Sequence, residues 1–147
     1  MLLLGGTWIA ELAHDRLRLV RRPEAAPGAT ALRGSSGALT WGAWRLTWRT
    51  EPGPAEHRRD GWTAWVIPGE VGLRGLLAGD RLRPLGAEGR RLVVRAMQDR
   101  RVPRSRRRGW PVLVRDEELV WVPGVCRAAA ALPARGADAL RIDVADA

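Results

Sequence analysis

A chain of 147 residues, 46% of them hydrophobic, is long enough for one domain, or one domain with an added subdomain, around a buried core; this excludes a disordered tail. The net charge is +9, all 25 basic residues are arginine, and eight tryptophans stand where phenylalanine and tyrosine are missing altogether. A single cysteine excludes an internal disulfide, no window approaches the roughly 20 apolar residues of a membrane span, and the opening MLLLGG is too short for a secretory signal, so a soluble cytoplasmic protein is expected.

Thr7 to Ala13, a His14-Asp15 turn and the strictly alternating Arg16 to Arg21 predict a β-hairpin. Pro23 to Gly37, rich in Pro, Gly, Ala and Ser, reads as a loop. Ala38 to Trp41 and Ala43 to Arg49 flank Gly42; Trp44, Leu46 and Trp48 share one face and Arg45, Thr47 and Arg49 the other, the cleanest strand signal present. Glu51 to Gly61 predicts a surface connection, Trp62 to Ile67 another strand, Pro68 to Gly79 a segment leaning to strand, and Leu82 to Leu85 a brief extended piece ended by Pro84 and Gly86.

A helix is predicted from about Arg90, because Val93, Ala96 and Met97 fall at i, i+3, i+4 spacing, with Arg91 and Arg95 opposite. Pro103 suits the first turn of a second short helix and Gly109 its end. Pro111 to Arg115, an Asp116-Glu117-Glu118 turn and Leu119 to Val122 predict a further hairpin, Ala128 to Ala137 a low-complexity bridge, and Leu140 to Val144 a closing strand. The expected architecture is mainly β (α+β): a small sandwich or barrel-like core with two short helices carrying a basic face. Residues 1–68 form a β-rich N-terminal segment and 69–147 a C-terminal domain.

The positive charge is local. Gly79 to Pro111 holds eleven arginines against Asp80, Glu88 and Asp99, a surplus of eight out of the chain's +9. Such a cluster repels itself in the folded state, and a phosphate backbone is its commonest partner. Arginine forks match phosphate oxygens bidentately, and helix N-termini near Gly89 and Pro103 would add N–H donors. Arg81, Arg83, Arg90, Arg91, Arg101, Arg104, Arg107 and Arg108 are the candidate RNA-binding residues. The plain alternative is a solvated charged face, but so large a surplus exceeds what solubility needs. Most tryptophans should be core; Trp110, directly after the basic run, could stack on a nucleotide or plug the base of the helix.

No self-sufficient active site is legible. A phosphate-cradling P-loop needs a lysine and none exists. His14 and His57 are expected as solvated loop histidines, Cys126 as a small apolar filler, and Asp116 to Glu118 as solvated turn acids. Two histidines and one cysteine are too few for a four-ligand Cys/His zinc site, and neither catalytic nor metal-binding residues are expected.

GDRLRPLG (Gly79 to Gly86), the basic helix leading into RRVP (Arg100 to Pro103), the arginine-rich turn into WPVLV (Trp110 to Val114) and LVWVPGV (Leu119 to Val125) together resemble the C-terminal region of bacterial tRNA(Ile)-lysidine synthetase. GGTWIAELAHDRLRL resembles, more loosely, the β segment preceding it. That family activates the wobble cytidine of an isoleucine tRNA with ATP and joins lysine to it through an N-terminal domain with an SGGxDS loop. RGSSGAL (Arg33 to Leu39) does not match that loop. The resemblance implies the substrate-grasping portion of a ligase, with tRNA as partner and ATP and Mg²⁺ belonging to a catalytic domain that these residues do not contain. Neither a membrane nor DNA is implied. Arg81, Arg83, Arg90, Arg91, Arg101 and Arg107 match the family's basic positions, where lysines are common. A general or ribosomal RNA-binding module is the alternative expectation.

Overall fold

The structure, a computed structural model, describes residues 2–3, 8–21 and 26–147. Three short strands, β1 (Leu2–Leu3), β2 (Trp8–Ala13) and β3 (Arg16–Arg21), pair antiparallel in that order. His14 and Asp15 both take positive φ, 53° and 62°, as a two-residue primed hairpin turn requires.

Strands β4 (Thr30–Leu32), β5 (Ser36–Trp41), β6 (Trp44–Pro52), β7 (Thr63–Val66) and β8 (Val71–Gly75) come next. Then follow β9 (Arg81–Leu82), β10 (Arg91–Leu92), helix α1 (Val93–Asp99) and helix α2 (Arg104–Arg107). The chain ends in β11 (Pro111–Arg115), β12 (Glu118–Val122), β13 (Cys126–Arg127) and β14 (Asp138–Asp146). A five-stranded antiparallel sheet runs β13-β12-β11-β8-β4, a four-stranded one β5-β6-β14-β7, and β9 pairs with β10 alone. The mainly β architecture with two short helices is therefore the one expected.

Both larger sheets contribute to one hydrophobic core. β6 sends in Trp44, Leu46 and Trp48, β14 sends in Leu140, Ile142 and Val144, and the other sheet adds Leu73, Val112, Leu113 and Trp121. The alternation that predicted β6 is the alternation of burial. β14 reaches further than its apolar core suggests and pairs with β6 from Asp138↔Pro52 to Asp146↔Trp44. Each large sheet draws strands from both sides of residue 68: β4 pairs with β8, and β14 lies between β6 and β7.

Two expectations are corrected. The segment 23–37 is not all loop: it contains β4, and β5 begins at Ser36. Three residues are too few to show a period, and Gly37, which reads as a breaker, is required by its partner strand, since a Cβ there would lie 2.3 Å from the Trp48 ring. The first helix starts at Val93, not near Arg90. Leu92 is still extended (φ −63°, ψ 129°), because Arg91 and Leu92 pair with Leu82 and Arg81. Val93, Ala96 and Met97 do form its buried stripe. The helix ends in a Schellman arrangement, with Arg101 N–H on Gln98 O and Val102 N–H on Met97 O. Arg101 sits at φ 58°, where glycine is usual, at a cost of about 1 kcal/mol.

Candidate nucleic-acid interface

The basic residues leave the backbone from fixed points. Arg81 is held by the β9–β10 pairing, and the Arg83 carbonyl accepts the Ala129 N–H at 2.9 Å. Gly89, at φ 75°, turns the chain into Arg90. Arg90 and Arg91 thus come off a strand and its approach rather than off a helix, and no helix begins near Gly89. α2 does follow Pro103, which serves as its extended N-cap, and carries Arg104, Arg106 and Arg107.

Arg81, Arg83 and Arg90 line one cleft of about 270 Å³ together with Asp116, Glu117 and Glu118 of the β11–β12 turn. Arg90 also lines a neighbouring cleft of about 390 Å³ with Arg59, Arg91 and Arg100, so the two adjoin. Among the described residues Arg81, Arg83, Arg90, Arg101, Arg104 and Arg108 are exposed and make no ion pair or hydrogen bond through their side chains. The other two candidates are engaged. Arg91 pairs with Asp99, while half-buried Arg107 donates Nε to Val102 O at 3.0 Å. Arg100 pairs with Asp60 at 2.7 Å and Arg106 with Asp146 at 3.0 Å. Asp80 is removed from the cleft's charge balance, because Arg74 grips both its oxygens at 2.8 and 3.0 Å.

Arg59 was not legible as a member of this surface. It lies in the predicted surface connection, and what brings it in is its carbonyl, which accepts the Arg127 N–H at 2.6 Å. Trp110, of the two roles expected for it, has the packing one: it is 4% exposed, its Nε1 donates to Pro123 O, and its ring meets Trp44 edge-on at 4.7 Å. No face is left for a nucleotide.

The groups with displaced titration are elsewhere. Burial pushes the Cys126 thiol up, against the opposing pull of Arg59 and Arg91, which suits an inert filler. Burial, with the Arg127 charge, lowers His57, a Pro133 backbone hydrogen bond acting the other way. His57 is half-buried with Nδ1 lacking any partner among the described residues, not a solvated loop histidine. The unfolded chain therefore takes up the His57 proton more readily than the folded one. Stability should hold above the ordinary value of 6.5 and fall as pH drops below it. Urea unfolding of wild type and His57→Gln between pH 5 and 8 checks this: the variant should lose most of that slope.

Among the described residues no three His, Cys, Asp or Glu side chains gather as a metal site, and no helix is long and apolar enough to cross a membrane. The arginines that line the two adjoining clefts are groups that can hold anions.

Residues 71–144, about half of the chain, match the family described as TilS substrate C-terminal domain. Over 129 residues the chain is 32% identical to a tRNA(Ile)-lysidine synthase of Symbiobacterium thermophilum, a match covering 79% of this chain and 27% of that protein. A tRNA(Ile)-lysidine synthase of Geobacter sulfurreducens is 39% identical over 70 residues, 48% of this chain and 15% of the relative. The matched regions thus span about a quarter or less of these curated relatives' lengths. A solved structure described as the crystal structure of TILS C-terminal domain shares the fold, with a TM-score of 0.66 at 17% identity, over 81% of this chain and 98% of that one.

Proposed function

The chain belongs to the TilS substrate C-terminal domain family, and from that premise we propose that it is the tRNA-grasping portion of a tRNA(Ile)-lysidine synthetase. In this reading a catalytic domain outside these residues binds ATP and Mg²⁺ and ligates lysine to the wobble cytidine in the cytoplasm. The residues described here orient the RNA for it. Residues 69–147 form the substrate-binding unit, and β4 to β7 of the β-rich 1–68 complete its two larger sheets.

The observation that carries the proposal is the meeting in one cleft of Arg81 and Arg83, from β9 and its continuation, with Arg90, from the approach to β10, all without ion pairs among the described residues. A-form RNA offers phosphates and 2′-hydroxyls far more accessibly than base edges, so guanidiniums that leave the backbone from fixed points read its shape and backbone. Arg101, Arg104 and Arg108 are also exposed but line neither cleft; in this reading they add charge to the RNA-binding surface. Arg91 and Arg107 contribute less, since each already has an internal partner. Selection among tRNAs then follows from where the attached catalytic part lands.

Salt titration of tRNA binding tests this. If about five phosphates are engaged, log affinity should fall with log salt at a slope of roughly −3.5 to −4.5. An affinity indifferent to salt would remove the electrostatic basis, and equal affinity for any RNA duplex would reduce the chain to a general RNA binder.

A further inference from the structure

We propose that Trp62 is a stacking platform for an unpaired nucleobase of the bound RNA, a role that rests on the RNA-binding reading and adds a second, non-electrostatic contact to it. Among the described residues it is the one aromatic side chain exposed among the large hydrophobics, at 44%, whereas Trp44 and Trp110 beneath it are 3% and 4% exposed. The indole nitrogens of Trp41, Trp44, Trp48, Trp65 and Trp110 all donate hydrogen bonds; those of Trp62 and of buried Trp121 have no partner among the described residues, and of these two only Trp62 is exposed.

The ring is held rather than loose. It stacks on Trp44 with centroids 5.6 Å apart and planes at 22°, and lies 5.9 Å from Trp110. Those two rings are themselves fixed by Nε1 bonds to Gly109 O and Pro123 O, both 2.9 Å. Gly124, at φ 70°, lies against one face of the Trp62 six-membered ring, where a Cβ would sit 2.4 Å from it, so the lack of a side chain there lets the ring lie down on the backbone. Its N–H bonds Gly61 O, and the Trp62 carbonyl accepts the Val144 N–H, so the backbone is pinned on both sides. A pre-ordered ring loses little freedom on stacking a base.

Position links the ring to the charged surface. The Arg106 guanidinium lies 5.0 Å and 5.3 Å from the Trp44 and Trp110 centroids, so a cation flanks the aromatic group. Two residues before Trp62, Asp60 pairs with Arg100, which lines the larger cleft. An aromatic face beside arginines that track a backbone is the arrangement by which unpaired bases are held, sequence-tolerantly, next to a duplex.

The test uses a short A-form RNA stem with and without a four-nucleotide single-stranded overhang, bound by wild type, Trp62→Ala and Trp62→Phe, each checked for folding by thermal melting. The overhang should strengthen wild-type binding, and Trp62→Ala should abolish that gain, a loss of roughly 5- to 150-fold, leaving the salt slope and blunt-stem affinity unchanged. Trp62→Phe, which keeps a ring, should retain most of it. Equal overhang gains in wild type and both variants would overturn the stacking role while leaving the salt-dependent grasp intact. Salt-independent binding by wild type would instead overturn the RNA reading beneath it.

Discussion

Arg127→Met is expected to lower unfolding free energy by about 3–5 kcal/mol, a large share of the roughly 5–15 kcal/mol available to a domain. Arg127 is 1% exposed and, among the described residues, has no carboxylate partner. Its charge is instead surrounded by carbonyl dipoles. Nη1 donates to Val120 O, Ala128 O and Ala130 O at 2.9, 2.8 and 2.7 Å, and Nη2 to Trp65 O and Ala131 O at 3.0 and 3.2 Å. Burial lowers its pKa to about 10, with the Arg115 charge a smaller cause, so it stays protonated at neutral pH.

This one side chain ties β13 and the following loop to β12 in one sheet and to β7 in the other. Each hydrogen bond from a charged donor contributes about 1.5–3 kcal/mol, but the desolvation of the guanidinium offsets much of the sum, which sets the net figure well below a simple total. Methionine keeps an apolar stem and removes every donor. Arg127→Lys, with three donors on a point charge, should recover only part of the loss. Urea midpoints of the two variants against wild type decide it; a loss under about 1 kcal/mol for Arg127→Met would mean that water replaces the guanidinium.

Elements whose signal is local were legible. The β11–β12 hairpin was bounded by its acidic turn, where Asp116 and Glu117 take φ 51° and 64°, and α1 by the spacing of its buried stripe. What escaped depends on partners far away in sequence. β4, β9, β10 and β13 are two or three residues long and exist because another strand completes them, so no periodicity announces them. The same limit applies to the candidate site. The position of the charge was visible, but not which arginines are engaged, because Asp60 lies 40 positions from Arg100 and Asp146 40 from Arg106. Nothing local in the sequence singles out Arg127, and only the closure of β13 on β12 shows it buried. Trp62 and Trp110 exchanged expectations: proximity to the basic run favoured Trp110, yet the three-ring packing buries it and leaves Trp62 outside.

Changing Arg81, Arg83 and Arg90 together to alanine should weaken tRNA binding by at least about 3 kcal/mol, more than 100-fold. Charge-assisted contacts contribute about 1.5–3 kcal/mol each before screening at an exposed surface reduces them. The salt slope should flatten by about 2, since a phosphate that no arginine neutralises keeps its condensed counterion on binding. The acidic turn supplies the opposite sign in the same cleft. Asp116, Glu117 and Glu118 line it without an ion pair to any described arginine, so their field opposes an entering phosphate. Asp116→Asn, Glu117→Gln and Glu118→Gln combined keep shape and the positive-φ turn while deleting three negative charges; tRNA affinity should rise several-fold. The two triple variants thus move affinity in opposite directions only if phosphate occupies this cleft. Were both to bind within about threefold of wild type, the arginines would be a solvated face and the RNA would have to dock elsewhere.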